Sequence, residues 1–108
     1  MKIGSILLLF FAISSQSVFA NSNLYQISNV SPVVDNMTRI TYIEGDFENT
    51  SPKTLQNIFV KINLYKNDKL VGNTLDHASN LPANTIWRFK AAAPMGVDRY
   101  QIIDVTLY

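Results

Sequence analysis

The sequence predicts an all-β domain, a small antiparallel sandwich or barrel carried behind an export leader. Beyond residue 20, apolar side chains recur at every second position and nowhere at helical spacing. The alternating segments are rich in Ile, Val, Tyr, Phe and Thr, and clusters of Asn, Asp, Pro and Gly separate them. The opening residues form a unit of different composition.

That unit has three parts. Lys2 precedes an apolar run from Ile3 to Ile13, a polar stretch Ser14-Ser15-Gln16-Ser17 comes next, and Val18-Phe19-Ala20 ends on a small side chain. A basic start, a short apolar core and a small-residue site make a secretory signal. A membrane-crossing helix needs about 20 apolar residues, and this run stops well short, so cleavage after Ala20 is expected rather than a retained anchor. The chain has no cysteine, so no lipid attaches to one at the cleavage site. Removing residues 1–20 from the 108 leaves residues 21–108, 88 residues forming one domain. With Lys2 gone, the basic residues equal the eight acidic ones. That balance argues against nucleic acid, which selects for clustered positive charge, and against a polybasic membrane-surface protein. Small exported domains commonly rely on disulfides. This one must rely on packing alone, which fits the bacterial envelope, so a periplasmic or extracellular location is expected.

Strands are expected near 24–30, 38–48, 55–66, 69–77, 85–92 and 99–108. The connections carry Ser51-Pro52, Asn67-Asp68, Leu81-Pro82-Ala83-Asn84 and Pro94-Met95-Gly96, all turn-favouring. In the second segment Ile43, Gly45 and Phe47 share one face while Ile40 and Tyr42 lie on the other. A bulge near Tyr42 would bring both sets inward, and a plain strand with Tyr42 outward fits equally. Gly45 weakens a strand unless a large side chain packs over it; Trp87 and Phe89 are the candidates. The third segment is the clearest. Ile58, Val60, Ile62 and Leu64 fall on one face; Phe59, Lys61, Asn63 and Tyr65 fall on the other.

If Asn67-Asp68 is a two-residue hairpin loop, Lys66 opposes Lys69, Tyr65 opposes Leu70, Leu64 opposes Val71 and Val60 opposes Leu75. Tyr65 and Leu70 then pair on the outer face beside the turn. The last segment, Arg99 to Tyr108, is apolar on both faces, as befits a central strand or a pairing edge. It does not belong to an outer-membrane barrel, whose eight strands of about 9–11 residues plus turns exceed this chain. Trp87, Phe89, Ile62, Leu64 and Phe47 are the expected centre of the core.

Between Thr38 and Lys90 the chain resembles the FxLYD family of exported bacterial and archaeal domains. Gly45 and Asn49 in YIEGDFENTS are similar to that family's Gly-x-x-x-Asn strand end. Leu64 and Tyr65 in VKINLYKNDKLVG match its naming motif, and LPANTIWRF is similar to its Leu-x-Pro-Gly turn and following Phe strand. Ile62 stands for Phe, Lys66 for Asp and Ala83 for Gly. The resemblance implies an immunoglobulin-like sandwich with no shared catalytic residues.

Chemistry is sparse. His77, the one histidine, follows Asp76 and precedes Ser79. Adjacent strand residues point to opposite faces, so Asp76 cannot orient the ring as a catalytic triad requires. Glu44, Asp46 and Glu48 line one face of the second strand, but alternate residues stand about 6.5–7 Å apart, too far to close around one calcium unaided. A solvated face paired with Lys61 is the expectation. No catalytic residue, cofactor or metal ligand is expected, and the partner is expected to be a protein, self-association included. Phe59, Tyr65 and Leu70 form the candidate contact surface. The sequence therefore points to a non-catalytic binding or accessory module of the bacterial envelope. A periplasmic inhibitor or immunity protein masking a toxin or hydrolase is the narrower alternative, and a small envelope enzyme with an unrecognised site is the other class. Intact-mass measurement of exported protein checks the first step: a chain beginning at Asn21 is expected, and one retaining residues 1–20 overturns it.

Overall fold

The computed structural model describes residues 9–10, 20–21, 24–94 and 96–108. The expected leader lies outside these residues except for Leu9, Phe10 and Ala20. The strands are β1 (Leu9–Phe10), β2 (Ala20–Asn21), β3 (Tyr25–Val34), β4 (Thr41–Asn49), β5 (Leu55–Lys66), β6 (Lys69–Leu81), β7 (Ile86–Ala93) and β8 (Arg99–Leu107). They build two antiparallel sheets, β1-β8-β5-β6 and β2-β3-β4-β7. The pairs β3–β4 and β5–β6 are consecutive, whereas the β4–β5, β6–β7 and β7–β8 connections change sheets. The all-β sandwich is as expected. Among the described residues no helix is long and apolar enough to cross a membrane.

Each sheet turns one face inward because its apolar residues alternate. Ile58, Val60, Ile62 and Leu64 of β5 are buried against Ile27, Ile43, Phe47 and Phe89 of the facing sheet. Trp87 is not at the centre: it is half-buried, with its ring 6.0 Å from those of Phe47 and Phe89. Phe89 takes the central place because its ring lies over Gly45, its pairing partner on β4, together with Val30. Tyr100 of β8, unforeseen from the sequence, fills the rest. Its hydroxyl donates to the carbonyl of Val30 across the sheets at 3.3 Å, and burial pushes the phenol up to about 12.

Of the two readings of the second segment, the plain strand with Tyr42 outward holds, and a bulge lies on β3 instead. Register shifts between Ser28 and Ser31, with Asn29 at φ 55°, and Val30 is thereby buried. Tyr42 stays outside under the Lys90 ammonium, 4.3 Å from its ring centroid.

The β5–β6 turn forms as expected, with Asn67 and Asp68 both at positive φ (53° and 64°). Lys66 opposes Lys69 and Tyr65 opposes Leu70, but then the register slips: Leu64 faces Gly72 and Val60 faces Asp76. Val71 is an extra residue, a bulge in β6. A one-residue slip moves every later side chain to the other face, so Leu75 leaves the core face, opposes Lys61 and is 50% exposed.

Asn49, fully buried, joins the connections. Its amide donates to the carbonyls of Lys53 (2.8 Å) and Leu81 (2.9 Å), and its oxygen accepts from the Ser51 amide (2.9 Å) and hydroxyl (2.7 Å). In the next turn the left-handed residue is Asn84, at φ 60°.

The two strand glycines give opposite expectations. A Cβ on Gly45 would sit 2.5 Å from Phe89 Cζ and 2.9 Å from Val30 Cγ2, whereas one on Gly72 meets nothing within 4 Å. Gly45→Ala should lose about 1–3 kcal/mol by overpacking, and Gly72→Ala should be neutral or gain up to about 1 kcal/mol. Denaturant unfolding of both variants checks this; equal effects would refute the packing at Gly45.

Candidate functional site

The outer faces of the two sheets differ in kind. On β2-β3-β4-β7 the outer face centres on ion pairs, with Val33 and Ile86 exposed toward its ends. Arg88 of β7 reaches Glu44 at 3.4 Å and Asp46 at 3.0 Å on β4, and Asn29 donates to Asp46 at 3.0 Å. A cation thus already sits between two of the three carboxylates suggested for calcium. Among the described residues no group of three or more His, Cys, Asp or Glu is arranged to hold a metal. The expected pairing of these carboxylates with Lys61 does not occur: Lys61 belongs to the other sheet, opposite Asp104 of β8. Partial burial tends to raise the Asp46 carboxyl, but the Asn29 and Arg88 contacts outweigh it and hold the group below its usual value.

The outer face of β8-β5-β6 mixes apolar side chains with Asn57, Lys61, Asn63, Asn73 and Asp104. At one end Phe59, half-buried, stacks on the His77 ring at 4.5 Å and meets Tyr108 edge-on at 5.9 Å. At the other end Tyr65 is half-buried under the Arg99 guanidinium, 4.1 Å from its ring centroid, and donates its hydroxyl to Gln101 Oε1 at 3.0 Å. Leu70 and Val71 beside it are 56% and 52% exposed. Phe59 and Tyr65 share this face as expected, but six strand positions, about 20 Å, separate them. Leu75 and Ile103 fill the interval. Both are exposed at about half, and with Lys61, Asn73 and Thr74 they line a hollow of about 400 Å³. Sequence reasoning missed them because each depends on a bulge: Val71 turns Leu75 outward, and Ile103 is the unpaired residue where β8 shifts register against β5.

His77 has neighbours that were not foreseen. Asp76 does point away, its Oδ2 accepting the Lys90 amide of β7 at 2.7 Å. However, His77 Nε2 lies 3.5 Å from Ser79 Oγ and 3.3 Å from Asn57 Oδ1. This is not a triad, because both partners meet the same ring nitrogen. A working base needs the orienting group on Nδ1 and the nucleophile on Nε2.

A second concavity of about 520 Å³ opens where β6 and β7 part, above the Asp76–Lys90 contact. Leu64, Gly72, Ala93 and Pro94 give it an apolar lining, with Arg39 and Asn73 at hand. Nothing titratable converges there beyond Arg39. No protein-family model, curated protein or solved structure matches the chain.

The ionic face sets an acid response. A carboxyl held below its ordinary value contributes stability above that value, and this contribution is lost as pH falls through the native one. Asp46 behaves so, and so does exposed Asp35, which accepts the amides of Met37 and Thr38. Urea midpoints measured from pH 7 to pH 2 should therefore fall below about pH 4. Asp46→Asn should start lower and decline less. Parallel profiles for the two proteins would show that Asp46 carries none of the response.

Proposed function

We propose that the protein is an exported, non-catalytic binding module of the bacterial cell envelope, which holds a partner protein on the outer face of β8-β5-β6. The contrast between the two outer faces carries this reading. On β2-β3-β4-β7 the exposed Val33 and Ile86 stand apart from the central Arg88–Glu44–Asp46 ion pairs, whereas β8-β5-β6 exposes Leu70, Val71, Leu75 and Ile103 beside two half-buried aromatic rings. Exposed apolar side chains set among polar ones in this way are a common mark of a protein contact. Phe59 and Tyr65, braced by His77 and Arg99, supply rigid aromatic edges to it.

Export is supported by the three-part leader and by a core complete without cysteine. The FxLYD resemblance rests on motif residues alone, and those residues have structural work in the fold. Gly45 accommodates Phe89, and Asn49 ties the crossovers. A family of such domains would share a scaffold and vary its outer faces.

Leu75→Ser combined with Ile103→Ser tests the contact face. Both residues are half-exposed, so the melting temperature should move only by a few degrees. Capture of the partner from envelope extract, or dimer content where the partner is a second copy, should fall strongly. Arg88→Ser on the opposite face should leave capture intact. Unchanged capture by the double variant, or equal loss with Arg88→Ser, would refute the assignment.

A further inference from the structure

The strand order leaves one edge unfinished. In the sheet β1-β8-β5-β6, β8 is paired with β5 over almost its whole length, and among the described strands its other side pairs with the two residues of β1. Leu9 lies opposite Tyr100 and Phe10 opposite Arg99, antiparallel. Among the described residues no strand lies beside Gln101–Leu107 on that side.

The other edges are closed or blunted. Asp76 of β6 occupies the Lys90 amide on the free side of β7. The β3 edge carries Pro32, which has no N–H to give, and the bulge at Asn29. On β8 the bulge at Ile103 divides the ladder into two regular stretches, Arg99–Ile102 and Asp104–Leu107, and β1 sits on the first, at Arg99 and Tyr100. Behind this edge a hollow of about 250 Å³ opens between the sheets, lined by Tyr25, Ile102, Ile103, Asp104 and Val105. An added strand would present alternate side chains to it.

We infer that the outer edge of β8 is a strand-acceptor site, which binds an extended apolar segment of another polypeptide by backbone pairing in the place held here by Leu9–Phe10. The occupant's chemistry is read from the chain itself: the segment seated on this edge belongs to the apolar run Ile3–Ile13. Removal of the leader, as the export reading above requires and on which this inference rests, takes that segment away from Arg99 and Tyr100, so that no described strand lies beside Arg99–Ile102 on that side. A newly opened edge with regular backbone groups accepts a donor strand, the donor's main chain giving affinity and its alternate side chains giving selectivity.

The test uses protein recovered after export, its start established by intact mass. The probe is a synthetic peptide of residues 3–13 carrying two terminal lysines for solubility, beside the same peptide N-methylated at alternate residues. The unmodified peptide should bind and slow amide hydrogen exchange within β8 but not along β3. N-methylation removes the donors without removing the apolar side chains, and should weaken binding about tenfold or more. No binding, equal binding by both peptides, or protection away from β8 each overturns the inference. A peptide-free dimer already protected at β8 overturns the assigned occupant in favour of a second copy. Should the recovered protein retain residues 1–20, the export reading fails by itself. In that chain Phe10→Pro, which breaks the internal pairing, must raise peptide binding, and no rise overturns the inference there too.

Discussion

The buried amide of Asn49 is the constraint on which the rest depends. Its side chain takes the carbonyls of Lys53 and Leu81 and satisfies the Ser51 amide and hydroxyl. Its own backbone exchanges hydrogen bonds with the turn before β7, donating to Thr85 at 3.0 Å and accepting from Asn84 at 2.8 Å. Two of the sheet-changing connections, β4–β5 and β6–β7, thus meet at one residue. With no disulfide to fix how the sheets stack, this cluster sets the placement of β5 against β4 and of β6 beside β7. Leaving any one of these buried groups unpaired costs about 1–3 kcal/mol, a large share of what a domain this small holds in reserve.

Most of the architecture is legible in the sequence because alternation is a strong local signal. The segment 55–66 matches β5 residue for residue, and the Asn67-Asp68 turn forms with both residues left-handed. The features that escape have a common physical cause. A bulge adds one residue without changing composition, so nothing local announces it, yet it inverts the facing of every later residue in its strand. The slip at Val71 turns Leu75 from an expected core residue into a surface one, and the shift at Ser28–Ser31 puts Val30 inside. Trp87 misleads for a related reason. Size alone does not place a side chain centrally when a smaller neighbour, Phe89, has a glycine to lie upon. The cluster of Asn57, His77 and Ser79 needs two strands in known register, which sequence alone does not supply.

The candidate surface is half visible for the same reason. Strand period alone puts Phe59, Tyr65 and Leu70 on the outer face, and they lie there. Their continuity depends on Leu75 and Ile103, each delivered by a bulge. Irregularity in the ladder thus places two apolar side chains, among polar ones, between two separated aromatic sites. The same irregularity at Ile103 limits how far a neighbouring strand can run along β8 in regular register.

The turns have a consequence for the chain when it is not folded. Of the non-glycine residues at positive φ, Asn29, Asn67, Asn80 and Asn84 are asparagines, with Asp68 and Arg39 beside them. Glycine would adopt these angles at less cost in the native state, but it would also loosen the denatured chain, by about 0.4–1 kcal/mol of free energy per site. Asparagine tolerates the left-handed region while keeping a Cβ that restricts the unfolded backbone. Part of this domain's stability therefore resides in the poverty of its denatured ensemble. A sandwich held by no covalent cross-link gains, spread over its turns, a fraction of what one disulfide would supply by the same entropic route.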